Sequence, residues 1–468
     1  MRTLLLGLGM VVCSWSSGAH NGMAAAWRQA RAALTNASAG CISHRNNRLP
    51  VGPPPRVWWG MRRHPPLFHI ALALTLAPGA APAWAQAVDA RPSGGQVVAG
   101  QASISQTAAR TQVNQASDRA VIEWQRFDVG AQHQVDIRQP ATSSFSLQRV
   151  TGGDPSAIAG RITSNGGVAL VNPAGVVFSQ GAQVDVAALI ATTSDITNQN
   201  FMAGRMVFDG QPRPGARVEN HGTITVADRG LAALVAPSVA NSGTIRARLG
   251  RVALAGGDAF ALDLAGDGLL ALDVTRQVQA APGGATALVT QSGTIEASGG
   301  SVLLTAAAAS GVIETLVQGG VQVGGTTTAS QVALRAQGGG VTITGDITAP
   351  RGVVEATASG TVRVASGARV SADAGRVTIG AGAESRPGAP RRLAARTVVE
   401  QGARVSADGG GTILVHAEDR TDMRGSLSAT GGEIEVSSRN ALALDGAMAA
   451  DRVLVDPVTL RVVTTLSG

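Results

Sequence analysis

From Gln86 onward the chain contains no cysteine. Both thiols of the 468-residue sequence, Cys13 and Cys41, lie in its first 85 residues. The remainder can therefore form neither disulfides nor thiolate metal sites. A polypeptide that must stay unfolded while it crosses a membrane is better without cross-links formed on the way. Lysine and tyrosine are absent throughout, so arginine carries all the fixed positive charge. Long apolar runs are also missing. The longest stretch, Leu67–Leu76 (LFHIALALTL), is too short to span a bilayer comfortably. Beyond the leader the aromatics are Trp124, Phe127, Phe145, Phe178, Phe201, Phe208 and Phe260, with none from Ala261 to Gly468. That distribution divides an aromatic-containing, less regular part, about 86–275, from a plainer aliphatic part, 276–468.

Acidic residues are missing from residues 1–85, which hold eight arginines. The formal charge of +7 for the whole chain comes from that segment, because the rest has 30 basic against 31 acidic residues, a net charge near −1. A basic nucleic-acid-binding surface thereby loses its main support, and no nucleic-acid partner is expected. Within the leader, Met61 opens a secretory signal over 61–85. Arg62 and Arg63 form its basic start, Leu67–Leu76 its apolar segment, and Ala83-Trp84-Ala85 a small-x-small cleavage site before Gln86. Residues 1–60 read either as an extended leader or as a mis-assigned translation start.

What the chain has in quantity is glycine, 60 residues, together with β-branched side chains. From Gln96 onward, segments of four to six residues alternate Val, Ile, Leu or Ala with Thr, Ser, Arg or Gln, and Gly, Asn and Asp punctuate them. Period-2 alternation is a strand signal, and no sustained 3.6-residue pattern competes with it. The phrases also recur. His221-Gly222-Thr223-Ile224 is echoed 21 residues later by Ser242-Gly243-Thr244-Ile245, and again at Ser292–Ile295. GARVSAD occurs at 367–373 and 402–408, and GSLSATGGEIEV comes next at 425–436. A spacing near 21 suits one coil of a single-stranded, right-handed parallel β-helix, with about three short strands per coil. An ordinary β-sandwich would not repeat phrases at a fixed period. The length predicts roughly 15 coils at about 4.8 Å each. GAESRPGAPRR (382–392) reads as a loop projecting from one coil.

Chemistry-bearing residues are sparse. His133, His221 and His416 lie far apart in sequence and read as turn or surface residues. Asp258, Asp263, Asp267 and Asp273 are close enough to suggest Ca²⁺ binding or acid–base work, as in β-helical polysaccharide-cleaving enzymes. Leu and Ala alternate with them, however, so they read more simply as the outward positions of strands. No P-loop, HExxH or GxSxG pattern occurs, and neither a cofactor nor a metal site is expected.

The most specific stretch is Gly167–Thr193, where two alternating segments flank Asn172-Pro173-Ala174-Gly175. Pro presets φ at the second position of a tight turn, and Gly tolerates φ > 0 at its end. This stretch closely resembles the secretion domain of filamentous haemagglutinin-like exoproteins of two-partner secretion systems (TPS). Their Asn-Pro-Asn-Gly-Ile signature matches Asn172-Pro173-Ala174-Gly175-Val176, followed by Val177-Phe178. VIEWQRFDVG (121–130), QPATSSFSLQRVTGGDPSAIAGRI (139–162) and the NxGxI phrases at 220–224 and 241–245 resemble the same family. Glu123, Gln148 and Ala174 depart from its usual residues.

The resemblance implies an all-β parallel β-helix with a capped N-terminal TPS domain over 86–275 and repeat coils over 276–468. It implies a non-enzymatic, adhesin-like exoprotein of a Gram-negative bacterium, exported to the cell surface or medium by way of the periplasm. The implied partners are the general export machinery, a cognate outer-membrane β-barrel transporter and a host or cell-surface receptor. The implied secretion motif is Asn172, Pro173, Gly175, Val176 and Phe178. Two alternatives are a β-helical enzyme acting on polysaccharide, and the truncated stalk of a toxin-delivering or haem-capturing exoprotein.

Overall fold

The computed structural model describes residues 4–6, 9–11, 87–263, 271–313, 319–382 and 392–457. The chain divides into two units, Met1–Ala80 and Ala81–Gly468. In the first, Leu4–Leu6 pairs antiparallel with Gly9–Val11. The signal expected over 61–85 and most of the loop expected at 382–392 fall outside the described residues.

The strands of the second unit wind into a parallel β-helix of three sheets. One full coil shows the order. Val176–Phe178 belongs to sheet III, Gln183–Val186 to sheet I and Ala188–Thr192 to sheet II. Each strand pairs in parallel with its counterpart one coil earlier and one coil later. The repeated phrases occupy equivalent positions. Thr223, Thr244 and Thr294 are in register, as are Arg369-Val370-Ser371 and Arg404-Val405-Ser406. The 21-residue spacing holds where a coil is uninterrupted, as from Val218 to Val239. Excursions break it elsewhere. Sheet I contains 13 rungs among the described residues, from Arg110 to Ala447, against the roughly 15 coils that length alone predicts. The difference is chain spent off the helix, mainly in the segments 193–217 and 257–286.

Inward positions form aliphatic ladders. Ile162, Val184, Ile224, Ile245 and Ile295 stack on sheet I; Val168, Leu189, Ala232, Val252, Val302 and Val332 stack on sheet II. All are buried in one continuous core that runs from Val113 to Val436. The coils stack closely enough that some corners exclude any side chain. A Cβ at Gly243 would lie 2.1 Å from the Gly222 carbonyl oxygen, and one at Gly293 equally close to that of Gly243. The recurring Gly in NxGxI and SGTI is therefore a packing requirement.

A second core lies on the outer face of sheet II. There Leu147, Ala169, Ile190, Ala233, Ala253, Leu303 and Ala333 form one register row, and all are buried. The excursions cover this row. Met206–Phe208 pairs antiparallel with Ala259–Asp263, which pairs with Ala271–Arg276, and the short helix Asn198–Met202 packs beside them. Phe208 and Phe260 stack face to face, 4.6 Å between centroids. After Ala333 the same row continues as half-buried Glu355 and buried Thr378, polar residues in place of aliphatic ones. The second core runs on to Leu303 and Ala333, past the last aromatic residue, Phe260. Trp124, Phe127 and Phe178 fill the first core, while Phe145, Phe201, Phe208 and Phe260 serve the second.

The N-terminal end of the helix is capped. Gln96–Ala99 lies antiparallel on Arg119–Trp124, and Ala102–Gln106 lies antiparallel on Arg110–Gln115. Both target strands also pair in parallel with the next coil. No helix among the described residues is long and apolar enough to cross a membrane.

Candidate functional site: the Asn172–Gly175 corner

The Asn-Pro-x-Gly tetrad turns the chain from the sheet II strand Gly167–Val171 into the sheet III strand Val176–Phe178. The Gly175 N–H donates to the Asn172 carbonyl at 2.9 Å, closing the β-turn. Gly175 has φ +127°, and a Cβ there would also approach the Arg217 carbonyl oxygen to 3.0 Å. Asn172 is fully buried, and each polar group of its side chain is engaged. Its Oδ1 accepts from the Ala174 N–H at 2.9 Å, an Asx turn inside the β-turn. Its Nδ2 donates to the Asp154 carbonyl and to Ser156 Oγ, both at 3.0 Å.

The corner is held from both sides. Ser156 N–H donates to the Gly175 carbonyl from the preceding coil; Arg213 N–H donates to the Pro173 carbonyl from the following excursion. Val176 and Phe178 are fully buried in the first core. Of the tetrad, Pro173 and Ala174 remain half-exposed, as does Val177 beyond it. The five motif residues are thus brought together, but their polar chemistry faces inward.

The departures at Glu123 and Gln148 lie on the first two sheet II strands, where Gln148 is in register with Ile122 and Glu123 with Arg149. Gln148 Oε1 accepts the Trp124 indole N–H at 2.8 Å, and Gln148 Nε2 donates to Ser146 Oγ at 2.8 Å inside the helix. Glu123 takes part in a hub around the nearly buried Arg149. The Arg149 guanidinium donates to Glu123 Oε1 at 3.0 Å, Asp195 Oδ1 at 2.8 Å, Asn198 Oδ1 at 2.6 Å and the Ile196 carbonyl. This hub ties the 193–217 excursion to the coils beneath it. Sequence reasoning missed the hub, although Arg149 lay within 139–162, one of the stretches that resembles the family.

It also missed an amide ladder. Asn220 Nδ2 donates to Asn241 Oδ1 at 2.7 Å, and Asn241 Nδ2 donates to Gln291 Oε1 at 2.6 Å, all three fully buried. The Asn of the NxGxI phrase is the rung of this ladder. Its 21-residue recurrence was the available signal.

The remaining candidates separate. His133 is buried rather than on the surface, bonded to Thr111 Oγ1 and the Ala108 carbonyl. His221 is half-exposed between Ser242 Oγ at 2.6 Å and Glu219 Oε2 at 3.1 Å. The Glu219 hydrogen bond and charge raise its pKa against the opposing effect of burial. His416 Nδ1 meets Ser437 Oγ at 2.8 Å. Asp258 is buried at the root of the off-helix hairpin. Burial raises its pKa, opposed by the Gln279 N–H and by Arg276. Asp263 and Asp273 occupy outward positions of that hairpin, while Asp267 lies outside the described residues. No group of three or more His, Cys, Asp or Glu with metal-binding geometry occurs among the described residues.

A capped parallel β-helix with an off-helix aromatic layer, and with an Asn-Pro-x-Gly corner beneath that layer, defines a class of secretion domain. A family profile of the TPS secretion domain matches residues 88–349, more than half of the sequence, and the chain belongs to this family. Two relatives from Haemophilus influenzae, each called a heme/hemopexin-binding protein, are similar to it. One is 36% identical over 182 residues, covering 37% of this chain and 20% of that protein. The other is 44% identical over 90 residues, covering 19% of this chain and 10% of that protein. The chain thus spans about a fifth or less of the length of these relatives. The crystal structure of the HMW1 secretion domain from Haemophilus influenzae covers 78% of this chain and all of its own, with a TM-score of 0.65 at 23% identity, a likeness of fold.

Proposed function

We propose that this protein is the exported partner of a two-partner secretion system. Its N-terminal coils direct passage through a cognate outer-membrane β-barrel transporter after export across the inner membrane by the general machinery. Its destination is the cell surface or medium, where it acts by binding, as an adhesin-like exoprotein, and not by catalysis. Asn172, Pro173, Gly175, Val176 and Phe178 form the secretion motif.

One observation carries the mechanism. Every polar group of the Asn172 side chain is consumed inside the folded corner, at zero exposure. A transporter can read that side chain only before the coil closes, so the motif is recognised in the unfolded chain. The absence of cysteine beyond residue 85 supports unfolded transit. The test is export with the transporter gene present and deleted. Export that persists without the transporter overturns the reading. A Cys pair closing a loop within 300–450 is expected to stall export under oxidising conditions; unaffected export would sink unfolded transit.

A second reading, haem or hemopexin capture, is favoured by the similarity to the Haemophilus relatives. Hemin titration of the purified exoprotein, followed by absorbance, tests it; a spectrum identical to free hemin counts against it. The polysaccharide-enzyme alternative would require carboxylates grouped on the outward faces of adjacent coils. Asp258 is instead buried, and Asp263 and Asp273 project from a hairpin off the helix.

A further inference from the structure

The off-helix hairpin is rooted at Asp258, which stands just before its first strand, Ala259–Asp263. Several segments of the off-helix layer meet at this residue. The Asp258 N–H donates to the carbonyl of Arg276, the last residue of the second strand, at 3.0 Å. The Asp258 carbonyl accepts from Ser194 Oγ at 2.9 Å, at the start of the first excursion. Arg276 Nη2 donates to the same carbonyl and to that of Asp209, both at 3.1 Å. The Asp258 side chain reaches the exit of the hairpin, where Oδ2 accepts the Gln279 N–H at 3.2 Å.

This is a costly place for a carboxylate. Asp258 is only 6% exposed. An ionised carboxyl group offers about four acceptor sites, yet the hydrogen-bond donor it meets among the described residues is the Gln279 N–H alone. Arg276 spends Nη2 on main-chain carbonyls, and its buried Nε has no partner. Its charge therefore reaches the carboxylate through space. The other charged groups of the layer are turned elsewhere. Asp209 meets the root through Arg276, Asp195 is held by Arg149, and Asp263 and Asp273 sit further out along the hairpin. On the coil side the contact is the Ala236 carbonyl, which accepts the Gly257 N–H.

We infer that Asp258 is a proton-operated fastener of the off-helix layer: with its carboxyl group neutral the hairpin root closes firmly on the coils, and with that group ionised the root loosens. Burial favours the neutral form and outweighs the Gln279 N–H and the Arg276 charge, so the folded carboxyl titrates above its ordinary range. A group raised in this way contributes stability that is complete below the unfolded value, about 4, and is lost as pH rises through the folded value. The layer is thus seated most firmly in acid. The Phe208–Phe260 stack responds with it, because it joins the first strand of the hairpin to the first excursion. This inference is independent of the two-partner reading.

Hydrogen exchange of the full exoprotein between about pH 4 and 7.5 reads the fastener as protection factors, which correct for the intrinsic pH dependence of exchange. Protection of the amides in 259–263 and 271–276 is expected to fall about threefold or more as pH rises, while the coil strand Val341–Ile343 holds its own. Asp258→Asn keeps the shape and removes the charge, and is expected to keep the acid level of protection across the range. If that variant fails to fold by circular dichroism, Arg276→Gln tests the same group. It removes the cation that favours the ionised form, and the midpoint of the change is expected to move up. Protection of the hairpin that is flat with pH in the unsubstituted protein, an equal fall in Asp258→Asn, or a midpoint unmoved in Arg276→Gln overturns the inference.

Discussion

Replacing Asn172 by Ala separates the structural role of the corner from its role in export. The substitution removes three hydrogen bonds, from Nδ2 to the Asp154 carbonyl and Ser156 Oγ, and from the Ala174 N–H to Oδ1. Each is worth about 0.5–1.5 kcal/mol net, and a buried group left without a partner costs about 1–3 kcal/mol. Ser156 is buried and loses its partner outright, whereas the half-exposed Ala174 N–H gains access to water. The expected loss is about 2–4 kcal/mol, localised to the coils around the corner, because a solenoid's stability is a sum over neighbouring repeats. Hydrogen exchange of the amides of 154–178 in purified protein measures it. A loss below about 0.5 kcal/mol would refute the claim that this side chain organises the turn. Export is then compared with Leu304→Ala, a first-core truncation expected to cost a similar 2–5 kcal/mol. If Asn172→Ala reduces export no more than Leu304→Ala, the motif acts through folding alone and recognition is wrong.

Three other substitutions probe separate features. Gly175→Ala places a Cβ at φ +127° and against the Arg217 carbonyl, with an expected cost of about 1–3 kcal/mol visible as faster exchange in 172–178. Asn241→Leu leaves Asn220 Nδ2 and Gln291 Oε1 without partners inside the helix. We expect a loss of about 2–4 kcal/mol, partly restored when Asn220 and Gln291 also become Leu; no restoration would show that the ladder is not a unit. The Glu219–His221 pair raises the His221 pKa and lowers that of Glu219. Its contribution is therefore greatest between about pH 4.5 and 6.5. It is lost above that window as pH rises through the raised His value, and below it as pH falls through the lowered Glu value. Solvent screening holds it under about 1 kcal/mol. An NMR titration is expected to show the His221 midpoint move down in Glu219→Gln, and an unmoved midpoint would exclude the pair as the cause.

Much of the helix was legible in the sequence because its period is local. Phrases such as SGTI and GARVSAD repeat wherever the same corner recurs, and inward alternation marks each short strand. The parts that were not legible depend on contacts between distant segments. Sheet II is buried on both faces as far as Ala333, yet its strands read like half-buried ones, because Ala and Leu serve either environment. The excursions at 193–217 and 257–286 carry no distinct signal in the sequence, and their pairing antiparallel to one another shows them to be off the helix. At the corner itself the turn followed from Pro173 and Gly175 alone. The inward aim of Asn172 did not, since an exposed Asn caps a turn through the same Oδ1 contact.

That inward aim links folding to release. The unfolded motif offers a transporter the Asn172 side chain and the apolar faces of Val176 and Phe178. The folded coil withdraws all three, leaving Pro173, Ala174 and Val177 half-exposed. Binding to the unfolded segment and closure of the coil are thus mutually exclusive, and each kcal/mol gained by closure weakens apparent binding about fivefold. Closure also needs a neighbour on each side: Ser156 from the coil before and Arg213 and Arg217 from the excursion after. The motif is therefore hidden only once residues up to about 217 have reached the side on which the chain folds. A transporter that reads the unfolded motif would keep its hold until enough chain has passed to close the corner, and would then lose it without any external energy source.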